Sequence, residues 1–130
     1  MFPQLYPSFE LILFCHWLGD FLFQGKFIAE NKFLPEGVKI THKMRVRSWF
    51  AVTVHAIAYT GCYLALTRDV SDLLVIGISH LLIDHYRVAG IVARIKEWNW
   101  KEPQPIIPKF VLFILDQGLH IFINCWMLRT

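Results

Sequence analysis

Three apolar stretches of this chain each carry a histidine and an aspartate four residues apart: His16-Trp-Leu-Gly-Asp20, His80-Leu-Leu-Ile-Asp84 and Asp116-Gln-Gly-Leu-His120. A fourth stretch carries His55. On a helix, residues four apart share a face, so His16, Asp20 and Gln24 line one side of a first helix. His80 and Asp84 do the same on a third, and Asp116, His120 and Asn124 on a fourth. Imidazole nitrogen and carboxylate oxygen are ligands that zinc and other first-row divalent ions accept, three protein ligands plus water being usual at a catalytic zinc. Four imidazoles and three carboxylates exceed one such site. Two metal ions fit the set, as does one ion with aspartates orienting the ligand imidazoles. The chemistry is metal-assisted hydrolysis: the ion polarises a carbonyl or phosphoryl group and activates water, whose proton an aspartate takes. His16, His80 and His120, with His55, are the candidate imidazole ligands; Asp20, Asp84 and Asp116 are candidate ligands and bases that spacing alone does not rank. Gln24, Gln117 and Asn124 read as hydrogen-bonding groups behind the ligands or between helices. Tyr59, one turn after His55, reads as a hydrogen-bond donor or a packing group.

The elements that carry these residues are strongly apolar. Of 130 residues, 55% are hydrophobic and 18% charged, and the mean hydropathy is +0.43. That balance excludes intrinsic disorder and argues against a soluble domain. Apolar segments run from Phe9 to Phe23, Trp49 to Leu66, Leu73 to Ile95 and Ile106 to Leu128. A membrane span needs about 20 residues, so the length suits four spans in one domain. The expected fold is all-α: a single four-helix transmembrane bundle of up-down topology, with helices over residues 8–34, 46–66, 71–98 and 106–128. Pro35-Glu-Gly37 ends the first, and Pro103, Pro105 and Pro108 lead into the fourth.

Charge orients this bundle. Eleven of the thirteen Lys and Arg fall in Lys26–Ser48 and Arg87–Lys109; Arg68 and Arg129 are the others. By the positive-inside rule both long basic connections face the cytoplasm and both termini lie outside. Trp49, Trp98, Trp100 and Trp126 fall near segment ends, where interfacial aromatics belong. In this up-down order the three aspartates form a tier nearer the cytoplasm and their paired histidines one about 6 Å further out. His55 joins either tier or bridges them. The formal charge of +3 is too small to suggest a nucleic-acid partner. The N-terminus has neither a basic region nor a small-residue cleavage site before Lys26, so no removable signal peptide is expected.

Other polar residues read differently. His42 sits among Lys39, Lys43, Arg45 and Arg47, where a solvated or headgroup-facing role is expected. His85 points about 100° away from Asp84, while Arg87 at i+3 is placed to pair with Asp84 and compete with a metal for it. Cys15, Cys62 and Cys125 are far apart in apolar runs and read as small core residues. Gly19, Gly61, Gly77 and Gly118 read as sites of close helix approach.

The combination His16-x-x-Gly-Asp20-Phe-x-x-Gln24, His55, His80-x-x-x-Asp84 and Asp116-Gln-x-x-His120 resembles a family of small bacterial and phage membrane proteins known as domain of unknown function 3307. The resemblance spans nearly the whole chain and lies in the apolar segments, not the basic connections. It implies a multi-helix protein of the bacterial inner membrane with a His/Asp centre, similar in style to inner-membrane metal-dependent hydrolases. The favoured function is a zinc-dependent hydrolase, with one or two ions, acting on a lipid-borne or membrane-associated ester, phosphoester or amide. A non-enzymatic membrane protein stands as the alternative: a metal or proton conductor, a phage membrane-modifying protein, or a His/Asp network that only holds helices together. A soluble ferritin-like metalloprotein would need a polar outer face that the second and fourth segments lack. The partners expected are the bilayer and a lipid-borne substrate, with oligomerisation left open.

Overall fold

The computed structural model describes residues 6–35, 37–96 and 109–129. Among them all regular structure is helical: α1 (Phe9–Trp17), a π-helical turn (Leu18–Leu22), α2 (Lys26–Asn31), α3 (His42–Tyr63), α4 (Val70–Tyr86), α5 (Val88–Lys96) and α6 (Lys109–Arg129). Side-chain caps start the main helices, each satisfying an amide that has no partner within the helix. Ser8 accepts from Leu11 N at 3.4 Å, Thr41 from Met44 N at 3.3 Å and Asp69 from Ser71 N at 2.8 Å.

Two expected helices are interrupted. The stretch 8–34 is not continuous: α1 widens into the π turn, and the chain then extends at Gly25, which opens α2 with φ −70° and ψ 163°. Glycine is a poor helix former, and the break lets α2 fold back against α3. The stretch 71–98 bends by 65° between α4 and α5, at Arg87, whose φ of 50° and ψ of 49° end α4 in the left-handed region. The second helix starts earlier than residue 46 because Thr41 supplies its cap. The fourth is described from Lys109; Trp98, Trp100, Pro103, Pro105 and Pro108 lie outside the described residues.

Cross-helix pairs fix how the long helices run. Asp20 meets His55, His16 meets Tyr59, and Tyr63 reaches the Ile12 carbonyl, so numbers rise on one element as they fall on the other. The first element and α3 are therefore antiparallel. His55 meets His80, while Thr60 lies beside Gly77, and His16 meets Gln117 while Asp20 also meets it.

The interior is polar for a chain of this composition. His16, Asp20, His55, His80, Asp84, Gln117, His120 and Asn124 are buried beside a small apolar cluster of Ile12, Cys15, Tyr59, Tyr63, Ile76 and Leu128. Large apolar side chains face outward: Leu22, Ile57 and Phe110 are 71%, 68% and 70% exposed. By length and composition Lys109–Leu128 could cross a membrane, and the bent pair Val70–Tyr86 and Val88–Ile95 makes a second candidate. Four spans were expected. α1 has only nine residues, and α3 spends its first turns on His42, Lys43, Arg45 and Arg47.

The π turn seats closely on α3. A Cβ added at Gly19 would lie 2.8 Å from Tyr59 Cδ2 and 3.1 Å from Tyr59 Cα, whereas one at Gly61 meets nothing within 4 Å. Because the Tyr59 backbone cannot yield, Gly19→Ala should cost about 1–3 kcal/mol. Thermal unfolding in detergent should show a clearly lowered midpoint for Gly19→Ala and little loss for Gly61→Ala.

Candidate metal centre

The π turn, α3, α4 and α6 each deliver a polar face to one buried region. Asp20 comes from the π turn, His55 from α3, His80 and Asp84 from successive turns of α4, and Asp116 and His120 from α6. The i, i+4 spacing works as expected on α4 and α6, and the antiparallel pairing brings the faces to one level.

Four ligand atoms converge. His55 Nε2 lies 3.1 Å from Asp20 Oδ1, 3.5 Å from Asp84 Oδ2 and 3.0 Å from His80 Nε2. His80 Nε2 lies 3.6 Å from Asp84 Oδ2 and 3.9 Å from Asp20 Oδ1. A tetrahedral zinc with bonds of about 2.0–2.1 Å separates its ligand atoms by about 3.3–3.4 Å, and these five separations, 3.0–3.9 Å, fall on both sides of that edge. Asp20, His55, His80 and Asp84 are all buried and could hold a metal ion. A second grouping, Asp84, Asp116 and His120, shares Asp84 with the first.

The hydrogen bonds select a tautomer that suits a ligand. His120 Nε2 faces Asp84 Oδ1 at 3.2 Å, and His80 Nδ1 faces His120 Nδ1 at 3.1 Å. A carboxylate needs a donor, so a neutral His120 carries its proton on Nε2 and accepts at Nδ1. His80 must then donate from Nδ1, which leaves the His80 Nε2 lone pair aimed into the four-atom cluster. The Tyr59 ring stacks on His80, centroids 3.6 Å apart and planes at 14°, and fixes its orientation.

His16 stands one residue behind this cluster, hydrogen-bonded at both ring nitrogens. Its Nε2 lies 2.8 Å from Gln117 Oε1 and its Nδ1 2.7 Å from the Tyr59 hydroxyl. Gln117 Oε1 can only accept, so His16 donates from Nε2 and accepts from Tyr59. Gln117 Nε2 donates onward to Asp20 Oδ2 at 2.8 Å and makes a longer contact of 3.4 Å to Asp116 Oδ2. Asn124 Nδ2 donates to the hydroxyls of Tyr59 and Tyr63 at 2.6 and 2.7 Å. Gln117, Asn124 and Tyr59 thus form hydrogen bonds to groups around the cluster. Gln24 lies outside the network, its buried Oε1 without a protein partner, and His55 Nδ1 likewise has none.

Lys32 enters unannounced by the sequence pattern. From just beyond α2, its Nζ lies 2.7 Å from Asp84 Oδ2 and 3.9 Å from Asp20 Oδ1, with the side chain only 13% exposed. Its one sequence signal is Gly25, which lets the basic stretch turn back toward the helices. Arg87 does not take the place expected beside Asp84; its guanidinium sits over the Phe33 ring, 4.2 Å from the centroid. His85 stacks against Trp49 at 3.9 Å, away from the cluster.

Asp116 is the open member of the set. Its side chain is 27% exposed, its Oδ2 lies 3.8 Å from His120 Nε2, and with Asp84 and Lys32 it lines a cavity of about 750 Å³. The centre therefore has a closed side, at His55 and His80, and an open one, at Asp116.

Residues 9–128 match the model of a family described as a protein of unknown function, DUF3307. The chain belongs to that family. No curated protein and no solved structure matches it.

Tyr59→Phe would leave His16 Nδ1 without its donor and remove one acceptor of Asn124. Unmaking these buried bonds should cost about 1–3 kcal/mol. Tyr63→Phe removes the other acceptor of Asn124, at 2.7 Å, with a long 3.4 Å bond to Ile12 O and a 3.3 Å contact to Tyr59, but it leaves His16 its donor and should lower the unfolding midpoint less.

Proposed function

We propose that this member of the DUF3307 family is an integral membrane protein of four spans. It holds a divalent metal ion, zinc by its ligand set, and hydrolyses an ester, phosphoester or amide borne by a lipid or presented at the membrane. The observation that carries the reading is the convergence of Asp20 Oδ1, His55 Nε2, His80 Nε2 and Asp84 Oδ2 from three chain elements, with five of their separations at 3.0–3.9 Å, close enough to share one ion. Charge supports it too. Among the described residues Asp20 and Asp84 pair with one ammonium, that of Lys32, and carboxylates in a low-dielectric interior are costly without further positive charge. The outward apolar side chains support four spans. In this arrangement α1 with the π turn forms one of them, the short turn at Arg68 and the termini face outward, and the basic connections face the cytoplasm of a bacterial cell.

Bound there, an ion would supply Lewis acidity toward a carbonyl or phosphoryl oxygen and ease deprotonation of water. The remaining work falls to the chain. Substrate enters from the cavity side, where Asp116 is accessible. Water oxygen bonds to the acyl carbon or phosphorus as the bond to the leaving oxygen or nitrogen breaks. Asp116 accepts the water proton and returns it to the leaving group. His120, between Asp84 and Asp116, orients both carboxylates, and Gln117 holds Asp20 while touching Asp116.

Zinc measured on protein purified in detergent without chelators should be about one ion per chain or more. His80→Ala and Asp84→Asn should lose it while keeping helical content. Gln117→Ala should weaken zinc affinity by about 10–100-fold. Substoichiometric metal in well-folded wild type would sink the reading.

The 2.7 Å Lys32–Asp84 pair favours a second reading, in which Lys32 is the resident cation and the cluster is a buried network joining the helices. Lys32→Met separates the two. If the centre binds metal, the variant should take up zinc at least as tightly as wild type, because a competitor for Asp84 Oδ2 is gone. If the network is structural, breaking the pair should destabilise the fold by about 3–5 kcal/mol, and zinc should not restore it.

A further inference from the structure

The cavity beside the centre has a chemistry of its own. Among the described residues its lining includes Lys32, Arg87, Arg94 and Lys109 beside Asp84 and Asp116, so there the basic groups outnumber the acidic. Lys32 is committed to Asp84, whereas Arg94 and Lys109, on α5 and at the start of α6, line the cavity and are both exposed. Leu112 and Phe113 of α6 and Ile91 of α5 add apolar wall. α5 leaves α4 at 65°, turns Ala89 and Ala93 inward and keeps Ile91 and Ile95 exposed. Such a short amphipathic helix suits the level of lipid headgroups. A volume of about 750 Å³ takes a headgroup-sized molecule rather than a whole lipid.

The geometry points to this cavity as a binding site for a phosphate-bearing anion. Arg94 and Lys109 hold the phosphate at the mouth, with Arg87 beside them, and the rest of the molecule reaches toward Asp116. Arginine and lysine together give planar and point-charge donors to phosphate oxygens. The carboxylates on the floor keep the anion from sinking into the metal cluster. This rests on the proposed hydrolase in one respect: a phosphate held at the mouth places a neighbouring ester bond over Asp116, making an anionic phospholipid or its headgroup the substrate class.

The test titrates full-length protein in detergent, with EDTA present, against inorganic phosphate and against dihexanoyl phosphatidylglycerol below its micellar concentration, by isothermal calorimetry. Saturable binding at one site per chain is expected. The double variant Arg94→Gln/Lys109→Gln should weaken it by about tenfold or more, and Arg68→Gln, in the turn between α3 and α4, should leave it unchanged. Tighter binding of the phospholipid identifies a headgroup site; equal binding of inorganic phosphate identifies a site for the free anion. Either supports the assignment. No saturable binding of either probe, or affinity unaltered in the double variant, overturns it. Zinc analysis of the same chelator-free preparations, made before EDTA is added, keeps the two claims apart. Stoichiometric zinc without anion binding removes only this inference, and anion binding without zinc removes only the metal centre.

Discussion

The dominant constraint on this protein is the burial of Asp20 and Asp84, two carboxylates close enough to share His55 Nε2 and Lys32 Nζ. In a chain that turns its large apolar side chains outward, such charges are tolerable only if surrounded by donors and cations. Much of the architecture follows. α2 must fold back so that Lys32 reaches both acids. α3 must bring His55 between them, and α6 must bring Gln117 to the far oxygen of Asp20 and His120 to the far oxygen of Asp84. Each carboxylate thereby ties at least three elements together, in an interior with few apolar side chains to do so.

The supporting groups form two systems with different duties. Around Tyr59, the hydroxyl contacts to His16, Asn124 and Tyr63 lock α1, α3 and α6, and the ring face holds His80 flat. Around Asp84, the contacts run instead to Lys32 and His120 and continue to the cavity. The first system is buried and fixes geometry. The second meets open space, where charge and reactivity can be used.

The sequence made the central cluster legible because helical spacing is local. His80 with Asp84 and Asp116 with His120 needed only a helix to share a face, and all four lie where that rule put them. Apolar composition likewise made the helical class readable. What local spacing does not encode is selection between helices. His16 has the same relation to Asp20 as His80 to Asp84, yet Tyr59 and Gln117 from two other helices occupy both its nitrogens. Lys32 looked like one more interfacial charge because its role depends on the break at Gly25. Nor does any residue pattern around Arg87 announce a left-handed turn, since non-glycine residues seldom adopt one.

One consequence lies in Gln117. The path from the Tyr59 hydroxyl through His16 to Asp20 looks continuous, but its last link is an amide. Imidazoles, phenols and carboxylates exchange protons at modest cost, whereas an amide passes on a dipole and keeps its hydrogens. Gln117 is thus an insulator set into an otherwise conductive wire. The tyrosine end can steer Asp20 but cannot charge or discharge it through this link.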